Sequence, residues 1–354
     1  MKIVIDRQSI KGQKTGYGFY LTNLLLELAK INTEHELIYI NKIKKNLNTP
    51  KRIYWDQIGL PLEAKKRKAD LLFAPSFSCP IFYKGKKIVT AHDLIGKIFP
   101  ENFSYPAKFY WNKLLPYSFT KADHVITVSE NSKKDLINYL NIPEEKITVI
   151  YEGPHNFLKP LDNSEANNYV RERFDIHDPF ILSVSTIEPR KNYKNLIKAF
   201  ANAKRGDTKL VIVGKKAWGF EDIMDLVQKL KLEDKIKFLD YVEDIDLLNL
   251  YNACSFFVLV SLYEGFGLTP LEAMACSAPV IVSNTSSLPE VVGEAGILVD
   301  PNSVEGIQEK MNLLLGNENL RQDLKEKSLN QAQKFTWAKT AKKTLEVFEH
   351  VSKN

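Results

Sequence analysis

Short apolar runs recur along the chain with room for one helix between neighbours. They lie at residues 3–5, 37–40, 71–74, 88–91, 125–128 and 147–150, then at 180–184, 210–213, 236–239, 256–260, 280–282 and 297–299. Brief continuous runs without polar alternation are the pattern of strands buried on both faces, as in parallel sheets. Between several of them the period turns helical: Phe19, Leu21, Leu24, Leu25 and Leu28 share one face over residues 18–30, and residues 132–140 read as another helix. Repeated strand and helix predict doubly wound α/β sheets, with ligands at the carboxyl ends of the strands. The series breaks at Tyr151-Glu-Gly-Pro-His155. Turn residues Gly153, Pro154, Pro160, Asp162 and Asn163 follow in a polar stretch. This predicts a domain over 1–152, a linker over 153–178 and a second domain over 179–335, with a ligand cleft between the domains. A chain of 354 residues exceeds the size at which one core usually keeps growing, which agrees.

The most informative stretch is Ser261-Leu-Tyr-Glu-Gly-Phe-Gly-Leu-Thr-Pro-Leu-Glu-Ala-Met-Ala-Cys276. Gly265 and Gly267 allow a tight turn, and Pro270 suits the first turn of a helix. Strand, glycine turn and helix in that order present backbone N–H groups on which a phosphate can sit. Glu264 and Glu272 would repel a phosphate, so their partners must be donors, and sugar or ribose hydroxyls fit. Taken singly, each Glu is more often a turn residue or a solvated helix position. After the first strand of the second series comes Ser185-Thr-Ile-Glu-Pro-Arg-Lys-Asn192, where Arg190 and Lys191 suit a diphosphate by bidentate and point-charge contacts.

In the first half, Gly12-Gln-Lys-Thr-Gly-Tyr-Gly18 opens the first long helix, but its spacing is not that of a dinucleotide loop. Thr90-Ala-His-Asp-Leu-Ile95 ends a buried strand, so His92 can be aimed outward with Asp93 as its orienter, although a lone His is more often structural. Ser129 lies at another strand end, with Asn131 or Ser132 as the helix cap. Val242-Glu-Asp-Ile-Asp246 contains Asp-x-Asp, a metal-holding element in other folds. Here Asp244 and Asp246 open a helix bearing Leu247, Leu248, Leu250 and Tyr251, where acids suit the dipole. No metal site is expected.

The Glu-x7-Glu pair around Gly-Phe-Gly, the Pro-Arg-Lys-Asn stretch, and His-Asp followed by Phe99-Pro-Glu-Asn-Phe103 together resemble the retaining nucleotide-sugar glycosyltransferases of family 4. Bacterial mannosyl- and rhamnosyltransferases are the most similar members, and the resemblance covers nearly the whole chain. It implies the GT-B fold: α/β, two doubly wound Rossmann-like domains facing across a cleft. It assigns Glu264 and His92 to the transferred sugar, Glu272 to the ribose hydroxyls, and Lys191 and Arg190 to the diphosphate. The backbone of Gly265, Phe266, Gly267 and Leu268 surrounds the donor, and Gly16 and Gly18 lie beneath its diphosphate. Ser286 and Ser287 fall near the nucleotide. Phe335-Thr-Trp-Ala-Lys339 precedes a last helix, 336–354, that crosses back to the first domain. Two departures stand out: the glycine doublet of the first loop is missing, and Thr186 occupies a place where many relatives have Arg, leaving Lys215 as a further cation.

The implied activity is transfer of a hexose, best matched as mannose from GDP-mannose, to a hydroxyl of a glycan or lipid-linked glycan in cell-surface polysaccharide synthesis. The nucleotide-sugar is a substrate, and neither cofactor nor metal is implied. A retaining glycosidase sets two facing carboxylates about 5 Å apart. No second acid opposes Glu264, which agrees with attack on the face the phosphate leaves. Two other readings share the architecture: a nucleotide-sugar 2-epimerase, which needs no acceptor, and a non-catalytic sugar-nucleotide-binding subunit, which would bind donor without turnover.

Charge adds one feature. Residues 1–150 hold 24 Lys and Arg against 14 Asp and Glu, a net +10, whereas 151–354 hold 25 against 29, a net −4. Clusters at Lys42, Lys44, Lys45, at Lys65, Lys66, Arg67, Lys68 and at Lys84, Lys86, Lys87 suit anionic lipid head groups, at about 1 kcal/mol per charge near such a surface. A solvated surface explains them equally well. Nucleic acid is not expected, since no recognition module accompanies the charge. Three scattered cysteines, Cys79, Cys254 and Cys276, build no disulfide framework. No apolar run approaches the roughly 18 residues of a membrane span, and the first residues read as a strand. The expected location is the cytoplasm, with peripheral contact on the inner face of the membrane left open.

Overall fold

In the computed structural model, which describes all residues except 11–15, 32, 42–46, 77, 104, 106 and 354, the apolar runs become twelve strands in two parallel sheets. The first sheet contains β1 (Lys2–Asp6), β2 (Glu36–Ile40), β3 (Leu71–Ala74), β4 (Lys86–Ala91), β5 (His124–Thr127) and β6 (Ile147–Val149), in the order β2-β1-β3-β4-β5-β6. The second contains β7 (Phe180–Val184), β8 (Lys209–Val213), β9 (Ile236–Leu239), β10 (Phe256–Leu259), β11 (Val280–Ser283) and β12 (Ile297–Val299), ordered β12-β11-β10-β7-β8-β9. Every residue of β3, β7 and β10 is buried, because helices cover both faces. Strand order reverses once in each sheet, between β1 and β3 and between β7 and β10. At such a point successive crossovers leave on opposite faces, and their loops part to form a crevice at the carboxyl ends.

Two compact units result. One takes in Met1–Glu152 together with the C-terminal helix Trp337–Lys353, and the other is Gly153–Phe335. The C-terminal helix joins the first unit through a stripe at helical spacing: Trp337, Ala341, Phe348 and Val351 share a core with Ile3, Ile5, Tyr20, Leu24 and Phe73. Phe73 and Phe348 meet edge to face at 5.0 Å. Lys86 Nζ donates to the carbonyls of Val351 and Ser352 at 3.0 and 2.9 Å, filling acceptors that a helix end leaves open. Helix Asn163–Phe174 lies where the sequence suggested only a polar linker. Its apolar signal is slight, with Ala166 and Val170 buried, and Asp162 caps its start. The cap of helix Glu130–Leu140 is Ser129 itself, which accepts from the Ser132 N–H, in place of Asn131 or Ser132.

At the end of β1 a polar cluster holds the first unit's crevice in shape. Arg52 Nη2 meets Asp6 Oδ2 at 2.7 Å, and its Nε meets Asp56 Oδ1 at 2.7 Å. Arg52 and Asp56 sit one turn apart on the continuous helical run Thr49–Tyr54, Trp55–Gly59 and Leu60–Lys66. Trp55 Nε1 donates to Asp6 at 3.1 Å and Ser78 Oγ to Asp56 at 2.6 Å, so the cluster ties β1 to the segment after β3. Removing the cation would leave two carboxylates buried without it. Arg52→Met is therefore expected to destabilise the protein by about 3–5 kcal/mol in urea denaturation, and a loss under about 1 kcal/mol would refute this role.

Candidate functional site

In the second unit, the loops leaving β7 and β10 lie at the strand-order reversal and carry the charged residues singled out from sequence. After β7 the chain makes a single 3-10 turn, Pro189–Lys191, and Asn192 then takes a left-handed conformation (φ 60°) before helix Tyr193–Asn202. The Asn192 side-chain amide anchors that conformation by donating to the carbonyls of Val260, at 3.0 Å, and Pro301, at 2.6 Å. This fixes Arg190 and Lys191 beside the end of β10. Lys191 Nζ contacts Glu264 Oε1 at 2.5 Å, and Arg190 Nη1 contacts Glu264 Oε2 at 3.3 Å. Arg190 also donates to the Tyr263 carbonyl at 2.6 Å and to Glu188 at 2.5 Å.

The Glu264 turn is braced at both ends of its peptide. Its N–H donates to Ser286 Oγ at 3.0 Å, while Ser287 Oγ donates to the carbonyls of Glu264 and Phe266. Ser286 and Ser287 thus shape the turn. Gly267 has φ 114°, and a Cβ there would come within 2.9 Å of Leu288 Cδ2, so glycine is demanded both by conformation and by space. Helix Leu268–Ala275 follows directly, with Gly267 as its N-cap, so its first turn begins where the glycine turn ends.

The two glutamates occupy opposite environments. Burial raises the Glu264 pKa, but Lys191 and Arg190 outweigh it and bring the carboxyl down to about 2. Burial pushes Glu272 up to about 8; the Tyr251 hydroxyl, 3.0 Å from Oε2, opposes the rise, and Asp244 adds to it. His155 Nε2 lies 3.3 Å from Glu272 Oε1. A protonated Glu272 can donate to His155 and accept from Tyr251 at once.

In the first unit, His92 follows β4 with both ring nitrogens facing acceptors: Nδ1 lies 3.2 Å from Glu152 Oε1, and Nε2 lies 3.0 Å from the Pro75 carbonyl. Tyr17 and Tyr20 meet the ring edge to face at 4.9 and 4.6 Å. The carboxylate at Nδ1 is Glu152, whereas Asp93 accepts the Ile95 N–H. Gly16 opens helix Gly16–Leu28 with open space where a side chain would stand, and Gly18 is buried in its first turn. Gly12 and the cluster Lys42, Lys44 and Lys45 lie outside the described residues. Asp246 accepts from the Glu243 N–H, from Tyr169 at 2.9 Å and from Arg173 at 3.3 Å, as a helix-opening and inter-helix acceptor. Among the described residues, no group of three or more His, Cys, Asp or Glu is arranged to hold a metal ion, and no helix is long and apolar enough to cross a membrane.

Sequence reasoning found Lys191, Arg190 and Glu264 one by one but missed Glu152, Tyr251 and His155. Glu152 stands just beyond a strand end, which is the one signal that could have pointed to it. Chemically, the second unit offers two fixed cations for an anion, a carboxylate for hydroxyls, and a glycine turn opening a helix.

Residues 29–154 match the family model described as glycosyltransferase family 4, and residues 167–331 match that of glycosyl transferases group 1. O-antigen chain mannosyltransferase B of Escherichia coli is 30% identical, with 99% of this chain and 100% of that protein covered. Serotype-specific mannosyltransferase WbdA of Escherichia coli is 34% identical over 74% of this chain, which covers 33% of that longer protein. The structure of a glycosyltransferase from Rickettsia africae is alike in fold, with a TM-score of 0.74 at 22% identity over 100% of this chain and 99% of that one.

The raised pKa of Glu272 has a definite sign in stability. The folded state keeps a proton that the unfolded chain releases near 4.5, so this contribution is complete below pH 4.5 and is lost as pH rises through about 8. Urea denaturation at pH 5 and pH 8 is expected to show wild type losing a few kcal/mol more than Glu272→Gln across that window. Parallel profiles would show that Glu272 is not held protonated.

Proposed function

The chain belongs to the glycosyltransferases of the family 4 and group 1 type, with the GT-B fold, and on that premise we propose that it transfers mannose from GDP-mannose, with retention at the anomeric carbon, to a hydroxyl of a glycan or lipid-linked glycan in cell-surface polysaccharide synthesis. The observation that carries this reading is the meeting of Lys191, Arg190 and Glu264 at the strand reversal of the second sheet. That the two Escherichia coli relatives are mannosyltransferases supports mannose as the sugar.

Breaking the bond between sugar and phosphate builds negative charge on the diphosphate and positive charge on the ring. Lys191, Arg190 and the backbone of Gly265, Phe266, Gly267 and Leu268 receive the first charge; preorganised donors of this kind are worth roughly 3–4 kcal/mol each. Glu264, ionised beside the two cations, meets the transferred sugar, its negative charge favouring the cationic ring. Glu272 takes a ribose hydroxyl, and Gly16, with open space where a side chain would stand, is proposed with Gly18 to approach the diphosphate. His92 is proposed to meet the sugar as well, its ring set by Glu152. With charge neutralisation supplied by two side-chain cations, the transfer is proposed to need no metal. Peripheral contact of the basic first unit with anionic lipid belongs to the same reading, supported by its charge.

Glu264→Ala and Lys191→Ala are each expected to lower turnover by about 100-fold in a transfer assay with a mannose-terminated glycan acceptor. Full activity in either would count against these roles. A thermal-shift panel should show GDP and GDP-mannose raising the melting temperature above their uridine counterparts, by mass action. Selective stabilisation by a uridine ligand would replace the proposed donor. EDTA is expected to leave the rate unchanged, and a loss restored by a divalent cation would overturn metal independence.

A further inference from the structure

We infer that Glu264 is a stand-in for the donor's diphosphate: it holds the Lys191 ammonium and yields it fully only to a ligand whose sugar can take over the carboxylate. This makes Glu264 the group that discriminates an intact nucleotide-sugar from a spent nucleoside diphosphate, and it rests on the proposed reading of the site.

The inference comes from who is paired with whom. Lys191 Nζ is held by Glu264 at 2.5 Å, whereas Arg190, 3.3 Å from Glu264, is held more closely by Glu188, at 2.5 Å, and by the Tyr263 carbonyl, at 2.6 Å. A phosphate oxygen that needs Lys191 must therefore displace a carboxylate. The backbone of Glu264 is pinned by Ser286 and Ser287, so the exchange is a side-chain rotation, not a loop rearrangement.

The carboxylate has little access to bulk water: its side chain is 13% exposed in the ion pair, and its backbone is pinned. A buried charge deprived of its partner is costly unless hydrogen-bond donors replace it. The hydroxyls of a transferred sugar are such donors, and a bare nucleoside diphosphate offers none at that position. Intact donor thus recovers at Glu264 what it takes at Lys191, and a product without the sugar does not. Departure of the sugar re-forms the ion pair and loosens the hold on the nucleotide that remains.

The test is calorimetric titration of wild type, Glu264→Gln, Lys191→Met and the double variant with inorganic pyrophosphate, GDP and GDP-mannose. Glu264→Gln is expected to bind pyrophosphate and GDP about tenfold tighter or more, with no matching gain for GDP-mannose, so that the preference for intact donor falls by a similar factor. Lys191→Met should abolish that gain in the double variant. A folded Glu264→Gln protein that binds pyrophosphate and GDP no tighter than wild type overturns the inference. Should the Gln variant not fold, Glu264→Asp, whose shorter arm loosens the ion pair, is expected to give a smaller gain of the same sign, and its absence is equally decisive. Pyrophosphate has neither base nor sugar, which separates the two readings. Transfer by wild type without any gain in Glu264→Gln defeats the exchange alone, and a gain without transfer from any nucleotide-sugar supports the exchange while defeating the transferase reading.

Discussion

Lys191 and Arg190 are neighbours in sequence, nearly buried, and set side by side at the carboxyl ends of β7 and β10, an arrangement that desolvation and mutual repulsion would forbid without a counter-charge. Glu264 supplies it. Much of the second unit can be understood as the means of keeping that carboxylate in reach. The adjacency of β7 and β10 brings together loops 73 residues apart in sequence. Asn192, in a conformation few side chains adopt, ties the first loop to the end of β10, and Ser286 and Ser287 tie the second to the loop after β11. Three strand ends thus converge on one ion pair, and the strand reversal lets them converge without burying bare backbone.

The two glutamates of the Glu-x7-Glu stretch show how position on one strand-turn-helix unit sets chemistry. Glu264 precedes the glycine turn, where cations reach it, and stays ionised. Glu272 lies in the helix beyond, buried among Tyr251 and His155, and its environment favours the proton. A pair of carboxyl groups with pKa values pushed apart in this way divides its labour: one is a fixed charge, the other a hydrogen-bonding group able both to donate and to accept.

The strands were legible because burial on both faces leaves continuous apolar runs: the run at 256–260 is β10, Phe256–Leu259, within a residue. Helix Asn163–Phe174 was not, since burying Ala166 and Val170 needs no visible apolar stripe. At the site, residue identities were legible and pairings were not. Nothing local to Pro189-Arg-Lys-Asn192 says that Lys191 meets Glu264, because that contact is created by strand order. The partner of His92 was misjudged for a related reason. Consecutive residues leaving a strand point to opposite sides, so Asp93, adjacent in sequence, turns to the Ile95 N–H, and Glu152, distant in sequence, reaches the ring.

The first unit extends the same logic to its own crevice. Asp6 ends β1, and the Asp6, Arg52 and Asp56 cluster fastens that strand end to Ser78 in the segment after β3. The same segment begins at Pro75, whose carbonyl accepts one ring nitrogen of His92. Hence the imidazole is placed from two directions, by a carboxylate at the end of the first unit and by a carbonyl whose segment is itself held by a buried ion cluster. A ring held at both nitrogens has little freedom to reorient, and any hydroxyl that engages it must exchange with one of these acceptors. The Pro75 carbonyl is the weaker competitor, being neutral, while the Glu152 carboxylate forms the charge-assisted contact. Nε2, which faces only a neutral carbonyl, is therefore the ring nitrogen more readily freed, with Nδ1 remaining on Glu152.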